Sequence, residues 1–374
     1  MIVKNKIIPL VFILFFFIQF YNVYEHSIYL QFLLMLIGLI SFLFVYKDIS
    51  RNGYFLLVTL LIFSIITTIL SQKLKFGDII YSVAMPVFGY LIIAYKDKLI
   101  TPAIIYCMSV ILYCSYHIYS GSNLNTEIFL SSSRNYISVL AIFSYYVVFI
   151  SSNNNLLKTI LFIGVAIIII FSNSRSGLIS LVILLSGIAL NYFLSMKSSK
   201  TILLLILPFI FILIFISTQS SLLSDIFLTI KRLQVAGLSD PGRQAVITCY
   251  MDNMNVQSFL FGIDFNNHNC SFLANNHDNP HNSFIRLYGN LGLGFYIILY
   301  LLIMSFLNLI KSRNIILAFF LLTFIFRGST DIIFFFQSWD AYIFSLIIFA
   351  NQHLFLNKRL KVNENVSNFD GNNA

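Results

Sequence analysis

Charged side chains are scarce in this chain, at 10% of its 374 residues, whereas hydrophobic residues make up 59%. Soluble domains carry about 25% charged residues, so the composition excludes an ordinary soluble protein. A membrane's hydrocarbon core is about 30 Å thick and is crossed by a helix of roughly 20 apolar residues. Runs of that kind recur from Ile7 to Phe355. The composition therefore predicts an all-α polytopic membrane protein.

The chain also has no signal-peptide cleavage site and few cysteines. Its N-terminus, "MIVKNKIIPLVFILFFF", has a basic start and an apolar stretch, but no small-residue cleavage site follows, which predicts a retained first helix. Four cysteines are too few for a disulfide scaffold. Cys107 and Cys114 fall in a predicted helix, while Cys249 and Cys270 share a polar loop, where a disulfide remains open.

The common motifs of soluble enzymes are missing as well. No phosphate-binding loop, dinucleotide glycine fingerprint or Ser-His-Asp order stands out, and no internal repeat is found. His277 and His281 have the i, i+4 spacing of helical metal ligands, but Pro280 interrupts such a helix. We therefore expect no metal and no cofactor.

Hydropathy and helix-breaking residues predict about twelve transmembrane helices and one long, partly helical outer loop. The chain divides into helices one to nine over 1–216, the loop over 217–290, helices ten to twelve over 291–356 and a polar tail over 357–374. The predicted helices cover residues 7–21, 28–46, 54–70, 81–95, 99–119, 136–150, 156–171, 177–194, 202–216, 291–309, 315–326 and 341–355.

Lysines set the predicted orientation. With a cytoplasmic N-terminus, every lysine except Lys73, Lys75 and Lys231 falls on the cytoplasmic side, as the positive-inside rule requires. The N- and C-termini are then both cytoplasmic, and the loop over 217–290 faces outward.

The arginines oppose this bias, because most of them fall on the outer side. These are Arg134, Arg175, Arg232, Arg243, Arg286 and Arg327. A guanidinium binds phosphate or carboxylate through two parallel hydrogen bonds. Any single arginine could instead extend from a helix end to a lipid headgroup. All but Arg232, however, stand in polar, turn-rich contexts such as "SSSRNY" and "SNSRSGL", which predicts an anionic ligand at the outer face.

The outer loop is the only soluble-looking part of the chain. "SSLLSDIFLTIKRLQVAGL" predicts an amphipathic helix on the membrane surface, "DPGRQAVITCYMDNM" a second helix with Arg243 in its first turn, and "SFLFGIDFNNHNC" an extended stretch. After Pro280 a further helix is predicted to begin near Asn282 and Ser283. Its free N–H groups favour an anion beside His281, with Arg286 roughly on the same side.

Four motifs follow one another over about 173–295: "SNSRSGLIS", "GRQAVITCY", "FLFGIDF" and "HNSFIRLYGNLGLGF". In order and spacing this region resembles the O-antigen polymerase and O-antigen ligase superfamily. Two positions depart from the family pattern: the tryptophan that often follows the Gly-Arg pair is absent, and Asp264 replaces the second glycine of the "GxG" step.

The resemblance implies a metal-independent glycosyltransferase of the bacterial inner membrane, acting on the periplasmic face. Its donor would be a sugar chain linked to undecaprenyl diphosphate, whose diphosphate is an anion of the kind that the arginines predict. The expected partners are this lipid-linked oligosaccharide, membrane lipid and a chain-length regulator protein, with no nucleic acid.

The resemblance also implies roles for particular residues. Arg175, Arg243 and His281 match the family's active-site positions. The arginines would stabilise charge on the departing diphosphate, and His281 would take the proton from the acceptor hydroxyl. Further candidates for binding the diphosphate are Arg134, Arg286 and Arg327, of which Arg134 and Arg327 rest on the charge argument alone. Candidates for orienting His281 are Asp278 and Asp331.

Three functions remain open from the sequence. A polymerase, which we favour, joins lipid-linked repeat units to one another. A ligase passes the polymer to the lipid A core and would share the fold and the donor. A lipid-linked oligosaccharide flippase is the alternative from another class, but it predicts charged residues lining a path within the spans, whereas the interiors of the predicted spans lack charge.

Overall fold

The structure is a computed structural model that describes residues 2–70, 76–122, 128–130, 135–172, 174–195, 241–263, 270 and 282–357. The regular secondary structure of these residues is helical, with no β-strand apart from one isolated bridge between Ile49 and Leu356. The all-α prediction is confirmed for them. In chain order the helices are α1 Ile2–Glu25, α2 Ile28–Val45, α3 Arg51–Leu70, α4 Phe76–Ala94, α5 Lys96–Tyr119, α6 Asn135–Ser151, α7 Asn155–Phe171, α8 Arg175–Ser195, α9 Pro241–Asp252, α10 Val256–Phe261, α11 Ser283–Leu291, α12 Phe295–Lys311, α13 Ile315–Thr330, α14 Asp340–Ala350 and α15 Gln352–Phe355.

Seven stretches of the described chain are long and apolar enough to cross a membrane, which supports a multi-pass membrane protein. They are Lys6–Glu25, Ile28–Val45, Arg51–Leu70, Phe76–Ala94, Lys96–Tyr119, Arg175–Leu194 and Ser283–Lys311. The prediction of twelve spans is not confirmed. Four of the predicted spans are apolar helices of 10–17 residues, α6, α7, α13 and α14, and the predicted span 202–216 lies outside the described residues.

The outer loop is only partly described. The predicted helix carrying Arg243 is confirmed as α9. The predicted extended stretch is wrong at its start, because Val256–Phe261 is helical. A capping box explains this: Asn255 Oδ1 accepts a hydrogen bond from Ser258 N, and Ser258 Oγ accepts one from Asn255 N, both at 2.8 Å. The amphipathic helix predicted within 217–240 lies outside the described residues.

The chain divides into two compact units. The first contains Met1–Gln31, Asp97–Gln244 and Arg313–Thr330. Within it α8 packs along α13, and α6 packs on α7 and α8. Aromatic rings fill the space between α6 and α13; for example, Phe143 stacks on Phe324 with ring centroids 4.4 Å apart.

The second unit contains Phe32–Lys96, Ala245–Ser312 and Asp331–Ala374, and its main packing is between α4 and α14. The two helices approach closely at Gly89. A Cβ placed there would lie 3.0 Å from the backbone nitrogen of Ser345 and 3.1 Å from the carbonyl oxygen of Ala341. A side chain at this position would therefore push the two backbones apart.

Gly89→Ala is expected to destabilise the protein by about 1–3 kcal/mol, the usual effect of overpacking a close contact. Gly77→Ala is the matched control on the same helix, because a Cβ there meets no atom within 4 Å. Thermal unfolding in detergent should show a lower Tm for the first variant only. Equal Tm values for the two variants would contradict the close packing at Gly89.

Candidate functional site

A hydrogen-bonded network, which we call the arginine network, joins Arg327, Ser176, Asn135 and Ser174 in the first unit. Arg327 lies in the last turn of α13 with its side chain 1% exposed. Its Nη1 donates to Ser176 Oγ, and its Nη2 donates to the backbone carbonyl of Asn135 at 3.0 Å. Ser174 Oγ donates to Asn135 Oδ1 at 3.1 Å. The network therefore ties the end of α13 to the starts of α6 and α8.

Arg175 is the first residue of α8 and lies between two members of this network. Ser174 Oγ accepts a hydrogen bond from Gly177 N at 3.3 Å and so caps the helix start. Gly177 also lets α8 approach α6, because a Cβ there would lie 2.8 Å from Ser138 Cβ. A cation at a helix N-terminus opposes the helix dipole, whereas an anion bound there interacts favourably with both. The start of α8 is thus suited to bind an anion.

Several predicted site residues cannot be placed in this way. Arg134, Asp278 and His281 lie outside the described residues. Arg243 is the third residue of α9, and only its backbone is described. The structure therefore brings Arg327 together with the residues on either side of Arg175, and with Asn135, which follows Arg134 in the chain.

A second polar group surrounds the start of α11 in the second unit. Asn282 caps this helix: its Oδ1 accepts hydrogen bonds from Phe284 N at 2.8 Å and Ile285 N at 3.2 Å. The predicted helix start after Pro280 is confirmed. Arg286 lies one turn into the helix and is half-buried.

Asp340 is a member of this group that the sequence reasoning missed. Its side chain is 3% exposed, and its two oxygens accept hydrogen bonds from the backbone N–H groups of Phe335, Phe336 and Gln337. Asp340 lies outside the seven candidate spans. Burial raises the pKa of its carboxyl group to about 7, although the three N–H donors and the charge of Arg286 act in the opposite direction. The sequence signal for Asp340 was an acidic residue at the start of an apolar run.

Asp331, predicted to orient His281, directly follows α13 in the chain and is buried. Its Oδ1 accepts from Ile332 N at 2.9 Å, and its backbone carbonyl accepts from Ser283 Oγ at 2.7 Å. Asp331 therefore contacts the start of α11. Whether it orients His281 stays a prediction.

Cys249 and Cys270 form a disulfide, which decides the question that the sequence left open. Cys270 is buried in a small apolar cluster with Val246, Tyr250 and Ile263, against which Ile285 and Tyr288 of α11 pack. The disulfide thus anchors α9, the helix of Arg243, beside α11. Disulfides persist in oxidising compartments. The predicted orientation places this loop on the outer side of the membrane, where such conditions are expected.

Alkylation of the unreduced, denatured protein should label Cys107 and Cys114 only, because these are the free cysteines. Cys249→Ser should lower the free energy of unfolding by about 2–4 kcal/mol, since it opens the 21-residue connection. Mass spectrometry and thermal unfolding measure the two effects. Labelling of all four cysteines without reductant would contradict the disulfide.

Metal binding has no support among the described residues, where no three His, Cys, Asp or Glu side chains gather as metal ligands would. His268, His277 and His281 lie outside them.

No protein-family model, curated protein or solved structure matches the chain.

Proposed function

We propose that this chain is an O-antigen polymerase, a metal-independent glycosyltransferase that joins undecaprenyl-diphosphate-linked oligosaccharide repeat units at the periplasmic face of the inner membrane. The observation that carries the proposal is the arginine network. Arg327 at the end of α13 is hydrogen-bonded to Ser176 and to Asn135, which accepts from Ser174, so the network holds the two residues on either side of Arg175 in a helical membrane protein. A lipid-linked diphosphate is an anion that such a protein would meet at the membrane surface.

The proposed reaction transfers the sugar chain from the diphosphate to an acceptor hydroxyl. The hydroxyl oxygen attacks the anomeric carbon of the donor, and the bond from that carbon to the diphosphate oxygen breaks. The bonding electrons leave with the diphosphate, whose charge the arginines stabilise. His281 takes the proton of the hydroxyl. The protein must therefore accept this proton and stabilise this charge.

The arginines would divide this work. Arg175 is half-buried at a helix start, where it can contact the diphosphate directly. Arg327 is 1% exposed and donates to Ser176 and Asn135, so it would act by its charge and by holding the start of α8. Arg243 and Arg286 are further candidates for contacting the diphosphate, and Arg134 directly precedes Asn135.

Reconstitution of the purified protein in vesicles with lipid-linked repeat units tests the proposal. Polymer formed from these units alone, with chelator present, supports a metal-independent polymerase. Product that forms only when lipid A core is added, and only on that core, would instead identify a ligase. No transfer in either case, with transbilayer movement of the lipid-linked unit, would identify a flippase.

A further inference from the structure

Helix α10 carries exposed apolar side chains although it is too short to cross a membrane. Val256 is 76% exposed and Phe259 is 40% exposed. Residues three apart lie on the same side of a helix, so these two side chains form one apolar patch. Single exposed apolar residues need no explanation, whereas a patch that continues onto neighbouring elements marks a contact surface.

The patch continues along a series of aromatic rings to α12, within the second unit. The ring of Phe259 packs against that of Tyr288 on α11, with centroids 6.4 Å apart. Tyr288 packs against Phe295 at 6.0 Å, and Phe295 against Tyr296 at 5.3 Å. Tyr288 Oη also donates to the backbone carbonyl of Ser258 at 3.0 Å, which holds α10 against α11. The apolar side of α10 is therefore connected to the start of α12.

The start of α12 is one end of a longer exposed apolar surface. Its members are spaced three or four residues apart along one side of the helix and its preceding 3-10 turn, namely Leu293, Tyr296, Tyr300, Ile303, Leu307 and Ile310. Such a surface on a helix long enough to cross a membrane is expected to face lipid. The patch on α10 extends this lipid-facing surface.

The length of α12 indicates the level at which α10 lies. A membrane's hydrocarbon core requires roughly 20 residues of helix. Counted back from Lys311, the charged last residue of α12, this length reaches Gly292. Gly292 lies against α10, because a Cβ there would collide with the carbonyl group of Leu260. We therefore expect α10 at the boundary between acyl chains and headgroups.

We propose that Val256 and Phe259 bind the membrane itself, by entering the boundary between its headgroups and acyl chains. Aromatic side chains are enriched at this boundary. Exposed polar residues without positive charge flank the patch in the chain, namely Asp252, Asn253, Asn255 and Gln257. The contact is therefore apolar and does not require anionic lipid. This inference does not rest on the proposed function.

Fluorescence quenching by brominated lipid tests the contact in the reconstituted protein. Phe259→Trp is made in a Trp339→Phe protein, which removes the one natural tryptophan, and is placed in phosphatidylcholine vesicles. Surface helices bury their apolar side about 5–10 Å into the boundary. Lipid brominated near the headgroup end of its acyl chains should therefore quench this tryptophan several-fold more strongly than lipid brominated near the chain end. Acrylamide in the water should quench it weakly.

Gln257→Trp in the same background is the matched control, because Gln257 is an exposed residue of the same helix outside the patch. Acrylamide should quench this tryptophan strongly and brominated lipid weakly. Val256→Trp repeats the measurement without altering the ring contact between Phe259 and Tyr288. Retention of the Cys249–Cys270 disulfide shows that the variants fold.

Two results would overturn the proposal. The first is equal quenching by brominated lipid of the tryptophans at the patch and at Gln257. The second is protection of the patch tryptophans from both quenchers, since another part of the chain or a second copy would then cover the patch.

Discussion

Arg175→Ala is expected to lower polymer formation by about 10²–10³-fold, the usual effect of removing one group that stabilises developing negative charge. Arg175→Lys should restore only part of this rate, because an ammonium keeps the charge but lacks the planar pair of donors. Initial rates with lipid-linked repeat units, at several donor concentrations, measure both variants. The loss should fall mainly on kcat if the charge that Arg175 meets develops as the diphosphate leaves.

Arg51→Ala is the matched control for this experiment. Arg51 also begins a long apolar helix, α3, but its side chain is exposed and lies on the side predicted to be cytoplasmic. Its loss should leave the rate within about twofold of wild type, as for most surface substitutions. Equal rates for Arg175→Ala and Arg51→Ala would remove Arg175 from the proposed active site.

His281→Ala is expected to reduce polymer formation by about 10²–10⁴-fold, which is the contribution of a general base. The lipid-linked repeat unit should then accumulate unextended, because the donor still binds while the acceptor hydroxyl keeps its proton. The product distribution after reconstitution, together with donor binding, measures this separation. His353→Ala, on the short helix α15, serves as the control. Full activity in His281→Ala would end its assignment as the base.

The long apolar helices could be predicted closely from the sequence, because hydrophobic length and helix-ending residues are local properties. The predicted helix over 156–171 corresponds to Asn155–Phe171, and the predicted helix over 99–119 to Lys96–Tyr119. The short helix Val256–Phe261 was not predicted, because Asn255 and Ser258 were not recognised as a capping pair.

The shape of the segment 332–337 could not be predicted in this way. Its left-handed residues are phenylalanines rather than glycines, so no local sequence signal marks the turn. One of the acceptors of its backbone N–H groups, Ser283, is distant in sequence. Another, Asp340, follows the turn in the chain. The conformation is set by tertiary contacts, which the hydrophobic periodicity of the sequence does not reveal.

The arginine network was predicted only in part. Charge placement singled out Arg175 and Arg327, because arginines on the outer side oppose the positive-inside rule. The hydrogen-bond partners in the network are serine hydroxyls, a backbone carbonyl and an asparagine amide, and they join Arg327 to the residues on either side of Arg175. Such neutral groups are common in any polar turn, so nothing in the sequence favoured Ser176 and Asn135 over their neighbours.

The covalent link between Cys249 and Cys270 has a practical consequence for how the protein is prepared. Protein synthesised in a cell-free system with dithiothreitol would keep both thiols free, leaving the helix of Arg243 without its anchor beside α11. We expect such a sample to form no polymer because the disulfide is missing, whichever variant is assayed. Adding a glutathione redox buffer and a disulfide isomerase before reconstitution should recover its activity.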